Sequence, residues 1–110
     1  MTRTPLTDDA GRWFDSDTAT IFNEATRWNG SNRISRATGS QWNHQALYYT
    51  RSGKWVLNDW SQWQGSLETY VEVGESCAIA WLINNEHFKP AGLPDSVLAA
   101  VDAAIANAEV

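Results

Sequence analysis

The hydrophobic period of this chain changes at Gly74, and that change restricts the fold more than any other feature. Before it, LETYVEV (67–73) alternates, with Leu67, Thr69, Val71 and Val73 on one side and Glu68, Tyr70 and Glu72 on the other. A period of two describes a half-buried antiparallel strand with one wet face. After it, Ile79, Leu82 and Ile83 fall at i, i+3 and i+4, the stripe of an amphipathic helix. Gly74 takes the N-cap region, Glu75 suits the positive end of the helix dipole, and Asn84-Asn85 followed by Lys89-Pro90 stops the helix. A second helix is predicted after Pro94, with Asp95 as its cap and Val97, Leu98, Val101, Ala104, Ile105 and Ala108 as its apolar face. A sheet with one apolar face needs a cover, and these two helices supply it.

Upstream, ALYYTR (46–51) and KWVLNDW (54–60) flank Ser52-Gly53 and read as a hairpin. TATIFNEATRW (18–28) is rich in Thr and aromatics and stops at Asn29-Gly30, which favours a strand and turn. A helix capped at Ser16, with Ile21, Ala25 and Trp28 on one face, is the competing reading. In RISRATGSQWN (33–43), Ile34 is the expected inward residue of a short paired segment, whereas residues 1–15 read as a flexible lead-in. The expectation is an α+β fold: a small antiparallel β-meander of three to five strands packed against two C-terminal helices. It forms a single domain over 1–110, mainly β across 18–73 and helical across 75–110.

Charge is distributed unevenly over a net −5. Residues 1–66 carry six acids and seven bases, whereas 67–110 carry seven acids against Lys89 alone. Glu68, Glu72, Glu75, Glu86, Asp95 and Asp102 are therefore candidates for an acidic surface that steers a charged partner, against the plainer reading of a solvated face. A single cysteine, Cys77, excludes an intramolecular disulfide, and the polar N-terminal stretch does not resemble a secretory signal, so the cytoplasm is the expected compartment. No apolar run nears the ~20 residues that span a bilayer, and no membrane association is expected.

Catalytic and metal signatures are missing from the sequence. There is no Walker-type loop, GxSxG or HExxH, and His44, His87 and Cys77 have no metal-ligand spacing, so neither metal nor cofactor is expected. Cys77 near a helix N-terminus could form a reactive pair with His44 or His87, but a small core residue beside Ala78 and Ile79 is the stronger expectation. The chain reads as a non-enzyme.

What stands out is tryptophan, seven of 110 residues, with two of them in WSQWQGS (60–66). Trp60 ends a predicted strand on the side of Val56 and Asn58, opposite Trp55, Leu57 and Asp59, and so belongs to the fold. Trp63, between Gln62 and Gln64 in the connection, is the better candidate for outward contact. Trp, Tyr and Arg dominate interface energetics, and Trp63, Gln62, Gln64, Trp42, Arg51, Lys54 and Tyr48 form the candidate partner-binding set. Another protein is the expected partner. A carbohydrate or small ligand on the Trp/Gln-rich loop, or single-stranded nucleic acid on an aromatic-basic face, are the alternatives.

Leu47, Tyr48, Thr50, Gly53, Trp55, Leu57, Trp60, Trp63, Ala78, Trp81 and Leu82 follow a pattern: Leu-Tyr-x-Thr, a Gly turn, Trp-x-Leu, a Trp-rich loop, then Ala-x-x-Trp-Leu. Over about residues 39–88 this resembles small bacterial proteins of phages and other mobile elements, a group with no assigned chemistry. The resemblance implies a genomic setting and a fold. For a small acidic protein of that setting, it implies an inhibitor of a host defence or nucleic-acid-processing complex, anti-CRISPR-like or anti-restriction-like.

Overall fold

The computed structural model describes every residue except Gln64 and Ser66. Its framework is a four-stranded antiparallel sheet in the order β3–β6–β7–β8, formed by β3 (Thr20–Asn23), β6 (Asn43–Tyr49), β7 (Trp55–Ser61) and β8 (Thr69–Val73). Two ribbons flank it: β1 (Arg3–Pro5) with β2 (Trp13–Asp15), and β4 (Thr26–Trp28) with β5 (Arg33–Ser35). Helices α1 (Glu75–Asn84) and α2 (Asp95–Ala108) complete an α+β fold in which β6, β7 and β8 are the expected meander. The 18–28 segment is extended, as preferred, but breaks at Glu24-Ala25 into β3 and β4.

Register follows from alternation. Leu47 lies opposite Leu57, which lies opposite Val71, while Tyr48, Val56 and Glu72 line up on the other face. The first face packs under the helices: Phe22, Leu47 and Trp55 meet Ala78, Ile79, Leu82, Val97 and Val101 in one cluster. Leu47, Leu82 and Val101 there are fully buried. Val97 and Val101 are buried as predicted for α2, although Ala108 is exposed. Pro94, not Asp95, is the N-cap of α2, and Asp95 stands in the first turn. Proline fixes φ near the value the helix needs and has no N–H to leave unpaired there.

The opposite face departs from expectation. Residues 1–15 are a hairpin, not a lead-in, and Leu6 and Phe14 bury against Val56, Tyr48 and Tyr70. Three-residue strands carry almost no periodic signal, so the short runs around the Asp8–Gly11 turn escape a window-based reading. Glu72, expected on a wet face, is bridged by Arg12 at 2.6 Å. The hairpin covers only the half of this face nearest the 50–54 turn.

Both sheet edges are occupied, which blunts their tendency to pair with another chain. On β8, the Thr7 N–H donates to the Tyr70 carbonyl at 2.8 Å and the Thr7 hydroxyl accepts from the Tyr70 N–H at 2.8 Å. Beyond β3, His87 Nε2 donates to the Asn23 carbonyl at 2.6 Å, and buried Asn85 accepts from the Ala25 N–H at 3.1 Å. The segment after α1 is held close here. Gly92, at φ +83, would place a Cβ 3.1 Å from both Cγ2 and Oγ1 of Thr20. Gly92→Ala is expected to destabilise by about 1–2 kcal/mol in denaturant unfolding, from left-handed strain plus this contact. An unchanged midpoint would mean that the segment shifts freely.

The hairpin also carries an acid-sensitive lock. Burial pushes the Asp15 carboxyl up, but the N–H groups of Thr2 and Asp17, the Thr18 hydroxyl and the N-terminal ammonium together hold it below its ordinary value. The two N–H groups lie 3.1 and 3.0 Å from Oδ1. A carboxyl more acidic folded than unfolded adds stability above its unfolded value of 3.8, and that contribution disappears as pH falls through the folded value. Stability is expected to drop below about pH 4, and Asp15→Asn should flatten that part of the profile in denaturant melts. An identical acid limb in the variant would remove Asp15 from the account.

Candidate functional site

The end of the sheet away from the 50–54 turn pairs two of the exposed aromatics. Trp42 precedes β6 and Trp63 follows β7, and the hairpin brings them together with ring centroids 5.2 Å apart at 44°. Backbone bonds fix the pair: the Gln62 N–H donates to the Trp42 carbonyl at 2.9 Å, and the N–H groups of Trp42 and Trp63 donate to Ser40 Oγ and Ser61 Oγ. Their relative exposures are 41% and 60%, high for rings held this firmly. Gln62 is exposed beside them, and the expectation for Gln64 lies outside the described residues.

Trp60 behaves as the alternation predicts. It stands on the Val56 and Asn58 face, opposite His44 in register, and the two rings stack at 5.6 Å and 30°. Behind this stack lies a polar hub that was not anticipated from the sequence. The Glu24 carboxylate, with an 11% exposed side chain, accepts from His44 Nδ1, the Ser35 hydroxyl and, at 2.9 Å, the Gln45 N–H. Ser35 in turn organises the 35–40 turn, its Oγ accepting from the N–H groups of Ala37 and Thr38. The hub ties the β3–β4 break to β5 and β6. It contains the residue types of a hydrolytic triad, but the carboxylate sits at the centre and the serine does not face the imidazole, as a nucleophile must. Ser35 is 1% exposed. His44 Nε2 is buried with no partner among the described residues. In the neutral ring with Nδ1–H aimed at Glu24, Nε2 is a bare acceptor with no hydrogen to satisfy.

The basic candidates are elsewhere. Arg51 and Lys54 flank the tip of the β6–β7 hairpin, roughly 20 Å from the tryptophan pair along seven-residue strands. Tyr48 faces the N-terminal hairpin, its ring 5.1 Å from Phe14. The aromatic and basic residues therefore do not share one face. The acidic candidates also divide: Glu72 on β8 and Glu68 just before it lie on the hairpin side of the sheet, whereas Glu75, Asp95 and Asp102 belong to the helices and Glu86 to the turn after α1. Strand alternation forces the split, because Val71 and Val73 must face the helices. Cys77, expected in the core, is exposed on the first turn of α1. The buried positions there are Ala78, Ile79 and Leu82, one step further round the helix. His87 lies beyond the far end of α1, stacked on Trp81, whereas Cys77 is on its first turn, about 10 Å of helix before Asn84.

Next to the tryptophan pair, the half of the sheet that the N-terminal hairpin leaves open forms a hollow of about 410 Å³. Ile21, Ala46, Tyr48, Asn58, Trp60 and Glu68 line it, with Asn23 and Ser61. Burial and then the charge of Glu68 push the Tyr48 phenol up. Burial, followed by a hydrogen bond to Glu68, pushes that of Tyr70 up to about 12. Among the described residues there is no cluster of three metal-ligating side chains, and no helix is long and apolar enough to cross a membrane. No protein-family model, curated protein or solved structure significantly matches the chain.

Proposed function

We propose that this protein is a non-catalytic binding module that grips another protein through the Trp42–Trp63 pair. The observation that carries the reading is the pairing of two exposed indoles, 5.2 Å apart, on a hydrogen-bonded main chain at the open end of the long hairpin. Tryptophan is costly to leave in water and loses little conformational freedom when a partner covers it. A main chain already fixed by Ser40, Ser61 and the Trp42 carbonyl leaves only side-chain freedom to lose. The hollow beside Trp60 extends the surface across the open sheet, and no Lys or Arg lines it.

The mobile-element resemblance makes a bacterial defence or nucleic-acid-processing complex the first partner class to try, with the module acting as its inhibitor. Affinity capture from bacterial lysate, comparing the native chain with folded Trp63→Ala, tests the reading. Recovery of a defined complex that is lost with Trp63 supports it. Binding to a glycan array or to single-stranded oligonucleotides with no protein captured would replace it.

A further inference from the structure

We propose that the hollow beside Trp60 receives an arginine side chain from the protein that docks on the Trp42–Trp63 pair; this rests on the protein-binding reading above. The lining decides the charge of the occupant. The aromatic side chains of Trp60 and Tyr48 line it, buried Ala46 and Asn58 contribute to it, and Glu68 is its exposed member. Glu68 is the one carboxylate in the lining, and it makes no ion pair among the described residues.

Glu68 is also aimed. Its Oε1 accepts from Asn58 Nδ2 at 3.1 Å, and the same amide donates to the Thr69 carbonyl at 3.1 Å. The Asn58 side-chain oxygen has no donor among the described residues and is not sealed from solvent, so a donor entering the hollow can reach it. An anion would be repelled by Glu68, and an apolar group would strip water from this charged carboxylate with nothing but the Asn58 amide and the Tyr70 phenol to offset the loss. A guanidinium meets every demand at once: it stacks on an aromatic face, sends paired N–H donors to a carboxylate and retains donors for an amide oxygen. Lysine would answer the charge alone.

The test is an amide NMR titration with N-acetyl-arginine amide, set against the uncharged N-acetyl-citrulline amide and a neutral trisaccharide. Arginine is expected to shift the Trp60 indole N–H and the amides of Ala46, Asn58 and Glu68, saturating in the millimolar range, while the two uncharged probes do not. Glu68→Gln, which keeps the contact to Asn58, should weaken the effect by about fivefold or more. Trp63→Ala should leave it intact. Absent shifts, equal shifts with citrulline or the sugar, or indifference to Glu68→Gln would overturn the proposal. If they accompany capture that still needs Trp63, the arginine site alone falls. If capture also fails, the protein-binding reading falls with it.

Discussion

Glu24→Ala is expected to lower the unfolding free energy by about 3 kcal/mol, the largest stability loss of any single polar substitution in this chain. The carboxylate accepts three hydrogen bonds from groups with little access to replacement water: Ser35 is 1% exposed and the His44 side chain 17%. Truncation leaves the Ser35 hydroxyl, His44 Nδ1 and the Gln45 N–H facing a void, and each unmet donor costs about 1–3 kcal/mol with incomplete additivity. A domain of this size has about 5–15 kcal/mol to lose, so the melting temperature should fall by roughly 10–20 °C. Glu24→Gln retains one acceptor oxygen and should lose less than the alanine variant. A loss under about 1 kcal/mol for Glu24→Ala would show that solvent reaches the hub and that it does not tie β3, β5 and β6 together.

The second large effect is on binding and should leave stability almost untouched. Trp63 is 60% exposed and its ring meets only Trp42 among the aromatic pairs, so Trp63→Ala should cost about 1 kcal/mol of folding stability or less. Against a bound partner, the same truncation should cost at least about 2 kcal/mol, roughly thirtyfold in affinity. Trp60→Ala should cost folding stability as well as binding. Its ring stacks on His44 at the edge of the Glu24 hub, and its loss should be felt first in folding.

Periodic elements were legible from the sequence. The switch at Gly74 located α1, the 46–60 pattern located the long hairpin, and the alternation of 67–73 oriented β8 correctly because a one-residue slip would have exposed Val71 and Val73. The side of the sheet that Trp60 takes follows from the same alternation, and the exposure of Trp63 from its place in the connection after β7. Features built from distant single residues were hidden. Glu24 sits alone in a Thr-rich stretch, and its partners Ser35, His44 and Gln45 lie 11, 20 and 21 positions away with no spacing rule to link them. The N-terminal hairpin was missed because Leu6 and Phe14 are single buried residues in three-residue strands. Cys77 was misplaced because its neighbours Ala78 and Ile79 are buried, whereas a helix turns about 100° per residue. Separation of the basic residues from Trp42 and Trp63, by contrast, follows from the hairpin itself, whose seven-residue strands put its turn and its open end at opposite edges.

The measurement that bears most directly on the central claim is the dissociation constant of the captured partner for the Trp42→Ala/Trp63→Ala double variant. It is to be set beside the wild type and an Arg51→Ala control at the far end of the hairpin. The tryptophan pair predicts at least roughly thirtyfold weaker binding for the double variant, with its fold retained and the control unchanged. Unaltered affinity in the folded double variant, or an equal loss from Arg51→Ala, would contradict it.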